Sequence, residues 1–271
     1  MAEPNNVAIA QKAYRLFNEG NIAELMTHVD NNVEYHYHAP QALVPYGDGI
    51  NGHAALLQFF GQLDELYEFE QFEPREFVGH GDKVFITGVF RAKVKATGEV
   101  IGSDWVHINR YQHGKLVRND LFENSAQTAH ALAGRNIAIA RRVIEEGWNQ
   151  NKFDVIDECY SPDAVLNDPN AAPEERQGIA GRKSALRRYK TAFPDLHFTI
   201  SDITASGEMV YYHWTATGTH QGELNGIPPT GKNITVTGTS SDRIVNGKIV
   251  EDWAAWDTLG MLQQLGVIPV A

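Results

Sequence analysis

The sequence contains an internal repeat, and this limits the folds open to it more than any other feature. AYRLFNEGNIAELMTHVDNNVEYH near the start is matched by ARRVIEEGWNQNKFDVIDECYSPDAVLND near the middle. In each, a segment of helical period ends on an aromatic residue and an asparagine, Phe17-Asn18 or Trp148-Asn149. A short second helix follows, then a strand entered through Asp30 or Asp163. INGHAALLQFF and IAGRKSALRRY each give a glycine and a helix. FVGHGDKVFITGVF and ITASGEMVYYHWTA each give strand, glycine turn, strand. RYQHGKLVRNDLFEN and RIVNGKIVEDWAAWD place Gly114 and Gly247 in equivalent hairpin turns. Each half is therefore expected to be an α+β domain, with N-terminal helices covering one side of a curved, mostly antiparallel sheet. The expected domains are residues 1–133 and 134–271, divided near Ala133-Gly134-Arg135.

Of the 271 residues, 42% are hydrophobic and 21% charged, which suits soluble globular domains. The net charge of −11 and the lack of a basic stripe argue against nucleic acid or an anionic membrane surface as a partner. The start, MAEPNNVAIAQKAYRLF, lacks the basic and apolar segments of a signal peptide, and no apolar run is long enough to span a bilayer. The single cysteine, Cys159, excludes an internal disulfide and a cysteine-based zinc site, and it reads as a small buried apolar residue. A reducing, cytoplasmic setting is expected. The chain has no P-loop, dinucleotide fingerprint or nucleophile elbow, and neither a cofactor nor a metal is expected.

The second half resembles the SnoaL-like polyketide cyclases of the nuclear transport factor 2-like superfamily. The likeness rests on Phe193-Pro194-Asp195-Leu196, Trp214-Thr215, Gly218-Thr219-His220-Gln221-Gly222 and Gly226-Ile227-Pro228-Pro229-Thr230-Gly231-Lys232. It continues through Gly247-Lys248-Ile249-Val250-Glu251, Trp256-Asp257 and Gln264-Leu265-Gly266-Val267. The first half is similar to the same superfamily more loosely, through Gly52, Gly79-His80-Gly81-Asp82-Lys83-Val84, Thr97-Gly98 and Asp104-Trp105-Val106-His107. The resemblance implies two tandem cone-shaped α+β barrels, each with a hydrophobic pocket in its mouth. Superfamily members include cyclases, ketosteroid isomerases, epoxide hydrolases and dehydratases, so fold alone does not fix the reaction. It also implies a general acid/base role for Asp257, by its place in the Trp-Asp motif.

Strand parity gives a matching picture. Ile249, Glu251, Trp253, Ala255 and Asp257 share one face if the strand is regular. With Trp214 and Trp253 on the concave face, Asp257 joins an aromatic cavity whose dryness raises its pKa. Asp257 equally reads as the N-cap of the helix TLGMLQQL. Arg243 either pairs with Asp257 or binds an oxyanion, or is a solvated hairpin arginine. His220, at the hinge of the loop between the strands, either polarises a carbonyl or is satisfied by backbone. Phe193, Tyr212, Trp214, Trp253 and Asn167 are expected to line the pocket. Leu224 and Ile227, in a loop stiffened by Pro228-Pro229, are expected to form a lid or to pack on neighbouring structure.

In the first half, His36 and His38 lie on one strand face at a spacing open to a metal, but the set lacks an obvious third ligand. With Trp105, His107, Glu123 and Asn124 they form the expected first pocket. Counted from Gly114 as Asp257 is from Gly247, Asn124 takes the acid's slot, and an amide cannot act as a general acid; a slip of one residue puts Glu123 there. The expected function is a cofactor-independent acid/base enzyme of cyclase, isomerase or hydrolase type, acting on a small hydrophobic carbonyl compound in the second-domain pocket. The alternative is a non-catalytic protein that binds such a molecule. An internal pseudo-dimer of the two domains is expected, with a homo-oligomer of the whole chain also open.

Overall fold

The structure, a computed structural model, describes residues 5–44 and 49–269. The extreme ends of the expected domains, residues 1–4 and 270–271, and the segment 45–48 lie outside the described residues. The chain forms two compact units, Met1–Leu132 and Ala133–Ala271, with the division falling inside one helix rather than in a linker.

The first unit opens with α1 (Asn6–Asn18), capped by the Asn5 side chain, which accepts from the Ala8 N–H at 3.2 Å. Its apolar stripe, Ala10, Tyr14 and Phe17, turns inward. There follow α2 (Ile22–Thr27), β1 (Val29–Tyr37), the short β2 (Ile50–Asn51) and α3 (Gly52–Leu66). Four strands complete it: β3 (Tyr67–His80), β4 (Lys83–Val94), β5 (Val100–Gln112) and β6 (Lys115–Glu123). The sheet order is β2-β1-β6-β5-β4-β3. Among the described residues of this unit, only β1 and β6 pair in parallel.

Helix α4 (Ser125–Arg142) leads into the second unit and widens into one π-type segment, Val143–Trp148. The first unit's order then recurs: α5 (Asp154–Cys159), β7 (Tyr160–Asn167), α6 (Gly178–Ala192), β8 (His197–Ser206), β9 (Met209–Thr219), β10 (Asn233–Val245), β11 (Lys248–Trp256) and α7 (Thr258–Leu265). The sheet order is β7-β11-β10-β9-β8, with β7 parallel to β11. The two sheets are mixed α+β sheets that remain open, since their edge strands do not pair with each other; the cones are not closed barrels.

The last hairpin of each unit uses the same two-residue device. His113-Gly114 and Asn246-Gly247 all have positive φ, between 49° and 77°, as a type I′ turn requires. Both hairpins also carry a bulge shortly after the turn. In β10–β11 the register steps from Ile244–Ile249 to Arg243–Glu251, leaving Val250 as an extra residue. In β5–β6 it steps from Tyr111–Leu116 to Arg110–Arg118, leaving Val117 extra. An extra residue reverses which side chains face inward from that point on. Each unit closes over its own core, around Leu56, Ile86 and Trp105 in the first and around Ile156, Phe193 and Ile249 in the second.

Candidate active site

The inner face of each sheet, with the helices over it, encloses a cavity of about 140 Å³ in the first unit and about 110 Å³ in the second.

In the second unit the bulge at Val250 decides the lining. Ile249 is inside, and three residues later Asp252 is inside as well, followed by Ala254 and Trp256. Trp253 is thereby turned to the other face, where it lies with Asn167, Tyr211 and His213. The regular-strand expectation for Trp253 is corrected, and with it the expectation for Asp257. Asp257 is exposed and caps α7, accepting from the Gly260 N–H at 2.8 Å. Asn167 is likewise exposed on the outer face, and the neighbouring Asp168 lines the cavity in its place.

Arg243 lies on the outer side of β10, paired with Glu251 at 2.8 Å and Glu208 at 3.6 Å, and it does not meet Asp257. His220 is fully buried against the Phe193 ring, with centroids 5.1 Å apart. Its Nδ1 accepts from the Thr230 N–H at 3.3 Å, and burial lowers its pKa. It fastens the base of the loop rather than facing the cavity. Leu224 is buried in the core, and Ile227 is half-buried and joined to it by a short bridge. Neither lines the cavity, so the loop is packed down instead of forming a lid. Phe193, Tyr212 and Trp214 do line it.

The polar groups that do reach this cavity were missed in the sequence. Asp252, from β11, is buried and paired to Arg182 of α6 at 2.8 Å. It also accepts from the Tyr160 hydroxyl at 3.0 Å, and both contacts are made to Oδ2. Burial works against the charge on Arg182, but Asp252 and then Tyr160 hold it firmly protonated. Directly opposite Asp252 on β10 is Asp242, only 1% exposed, hydrogen-bonded by Tyr212 and with its Oδ1 unpartnered among the described residues. Burial first, and Asp252 second, push the Asp242 pKa well above the usual carboxylate range. Arg182 is salt-bridged to Asp252, and Asp242, buried beside that pair, is the carboxyl driven towards its protonated form. Beside Trp256, Asp168 accepts from the indole N–H at 3.4 Å. Glu175 and Arg188 also line the cavity, joined by two hydrogen bonds of 2.8 and 2.7 Å. The sequence signal for the aspartate pair was their placement on either side of the Asn246-Gly247 turn, but it becomes legible only once the bulge is known.

In the first unit the inward residues of β5 are Trp105, His107, Asn109 and Tyr111. From β6 come Asn119, Leu121 and, through the bulge, Glu123. Asn124 does not line the cavity. His36 and His38 are corrected to the outer face, because Tyr35 and Tyr37 of the same strand point inward. His38 stacks on Phe122 at 4.2 Å and pairs with Asp120 at 2.9 Å. Among the described residues no group of three or more His, Cys, Asp or Glu could hold a metal. Tyr14, from α1, hydrogen-bonds His107 Nδ1, and burial pushes the His107 pKa down to about 3. Glu123 accepts from Tyr37 and from Thr128, the latter at 2.7 Å.

An open sheet backed by helices, with an apolar cavity between them, defines a nuclear transport factor 2-like α+β domain, present here twice. Residues 138–265 match the family model for SnoaL-like polyketide cyclase, and residues 10–119 match that for SnoaL-like domain. Aklanonic acid methyl ester cyclase DauD of Streptomyces sp. (strain C5) is 30% identical over 138 residues, covering 48% of this chain and 81% of that protein. Among solved structures, IdmH from Streptomyces antibioticus is 31% identical, covering 48% of this chain and 98% of that one, with a TM-score of 0.44. TsrD from Streptomyces laurentii is 26% identical, covering 48% and 97%, with a TM-score of 0.43. The chain belongs to the SnoaL-like polyketide cyclase family, with two SnoaL-like domains in tandem. At the level of the family, that is a cyclase- or isomerase-type enzyme.

Proposed function

We propose that the second unit is a cofactor-independent acid/base catalyst that enolises a small, largely apolar carbonyl compound and either closes a ring or returns the proton elsewhere. The observation supporting this reading is the facing pair Asp242 and Asp252, the latter salt-bridged to Arg182 at the wall of an aromatic cavity. Asp252, paired with Arg182, takes the proton as the C–H bond next to the carbonyl breaks. The electron pair moves onto the carbonyl oxygen. Tyr212 donates its O–H to that enolate, because a protonated Asp242 behind it no longer needs the donor. The enolate carbon then attacks a second carbonyl, and the resulting alkoxide recovers the proton from Asp252. Phe193, Trp214 and Trp256 hold the substrate and exclude water, which strengthens each charge interaction.

Deuterium uptake at the α-carbon provides the test, with aklanonic acid methyl ester and simple aromatic 1,3-diketones as substrates. Asp252→Asn is expected to slow exchange by about 100-fold or more, and Tyr212→Phe by roughly 10-fold or more. Asp257→Asn should stay within about 2-fold, since an exposed cap has no part in the proton transfer. Asp252→Asn leaves Arg182 unpaired, so Tyr212→Phe serves as the check against simple misfolding. Exchange no faster than in buffer, with every substrate bound, would leave only a binding protein.

A further inference from the structure

The first unit's cavity has a different chemistry from the second's. Its named polar groups are largely spent on one another. Tyr14 bonds His107 Nδ1, which also lies 3.3 Å from Asn119 Nδ2. Asn119 Nδ2 donates to Asn109 Oδ1 at 2.5 Å, and Asn109 Nδ2 donates to the Tyr111 hydroxyl at 3.2 Å. The Glu123 carboxyl accepts from Tyr37 and Thr128. Burial keeps His107 neutral. On two residues only 2% exposed, the Trp105 indole N–H and Asn119 Oδ1 have no hydrogen-bond partner among the described residues, and neither has Nε2 of the half-buried His28. Trp105 and Asn119 both line the cavity.

The comparison between units sharpens this. Each places an indole across a glycine of the adjoining strand, Trp105 on Gly88 and Trp214 on Gly238. In the second unit the indole N–H is satisfied by Ser240 Oγ at 3.1 Å. In the first it is not. A buried donor and a buried acceptor without partners are rare in folded chains, and a cavity that carries both fits a ligand that supplies the complements. The rest of the wall is aromatic: the Tyr14, Phe72 and Trp105 rings lie within 12° of parallel, 5.1–6.1 Å apart. Such a wall takes a flat apolar body.

We propose that the first unit's cavity is a second ligand site, separate from the acid/base site, for an uncharged, flat, apolar molecule bearing a carbonyl or phenolic oxygen. Trp105 donates to that oxygen, and a hydroxyl of the ligand donates to Asn119 Oδ1. With the Glu123 carboxyl held by Tyr37 and Thr128, and His107 kept neutral by burial, this site binds and does not catalyse. The proposal does not depend on the reaction assigned to the second unit.

Calorimetric titration of the full chain with 2-naphthol, and with naphthalene as the oxygen-free control, tests it. Ala254→Leu fills the second cavity, and in that background one equivalent of 2-naphthol is expected to bind still. Adding Trp105→Phe, which keeps the ring and removes the N–H, is expected to weaken 2-naphthol about 10-fold and leave naphthalene unchanged. Trp105 is central to the core, so a second readout avoids that substitution: in Ala254→Leu protein, an indole N–H signal that Trp105→Phe abolishes should shift on titration with 2-naphthol. The proposal is overturned if Ala254→Leu alone abolishes binding. It is equally overturned if the Trp105 signal stays fixed while 2-naphthol binds, or if Trp105→Phe weakens both probes alike.

Discussion

At the residue scale, Asp257 shows how one side chain can be read in two ways. An aspartate just ahead of a helix is a good acid if buried and a good cap if not, and the sequence leaves both open. The structure gives it to the helix, where its carboxylate takes the Gly260 N–H at 2.8 Å. Asp257→Ala is therefore expected to lower stability by about 1 kcal/mol with no loss of turnover, measured by urea denaturation beside an activity assay. A large loss of turnover at unchanged stability would reinstate Asp257 as the acid. His220 and Arg243 were open to two readings for the same reason, and the structure selects the non-catalytic one for each. Their residue types suit catalysis, but one is used to fasten a loop and the other to pair with surface carboxylates.

At the scale of the element, the bulge at Val250 separates what was legible from what was not. Counting by twos along KIVEDWAAWD assumes an unbroken pleat. One extra residue exchanges the faces beyond it, which hides Trp253 and brings in Asp252, Ala254 and Trp256. In strands that carry no extra residue of their own the alternation runs through: Tyr212 and Trp214 of β9 face one cavity, and Trp105 and His107 of β5 face the other. Another constraint belongs to pairs of strands. A Cβ added at Gly88 would come within 2.1 Å of the Trp105 ring and 2.5 Å of the Glu73 carbonyl, and one at Gly238 within 2.4 Å of the Trp214 ring. Gly88→Ala and Gly238→Ala are each expected to cost about 1–3 kcal/mol, with an unchanged denaturant slope in urea melts. Substitutions without effect would mean that the indoles are free to move aside.

At the scale of the molecule, the two units carry opposite electrostatic liabilities. His107 binds a proton less well in the fold than its ordinary 6.5, with a native pKa of about 3. Its contribution to stability is full above pH ~6.5 and falls by about 1.4 kcal/mol per pH unit below it. Asp242 is raised, so its contribution is full below its ordinary value of 3.8 and is lost as pH climbs towards its native pKa. His220, also lowered, adds a smaller loss in acid to the second unit. Hydrogen exchange resolved by unit, compared between pH 5 and pH 8 after correction for intrinsic rates, is expected to show the first unit loosening in acid. Asp242→Asn should selectively stabilise the second unit at pH 8, and His107→Gln should flatten the first unit's acid response. A unit whose pH response is unchanged by its own substitution would contradict the assignment.

The sequence by itself determined the duplication, the order of helices and strands, the glycine hairpins and the aromatic character of both cavities. These follow from local periodicity, turn chemistry and repetition, which are properties of neighbouring residues. Only the tertiary structure decided which acids face inward and which polar atoms go unpartnered. Those outcomes depend on a single inserted residue in a hairpin and on contacts between strand and helix far apart in the chain, such as Asp252 with Arg182 and His107 with Tyr14. Pleat parity carries through a strand only until a bulge reverses it, so the inward face of β11 was set by packing against β10 and not by its own alternation.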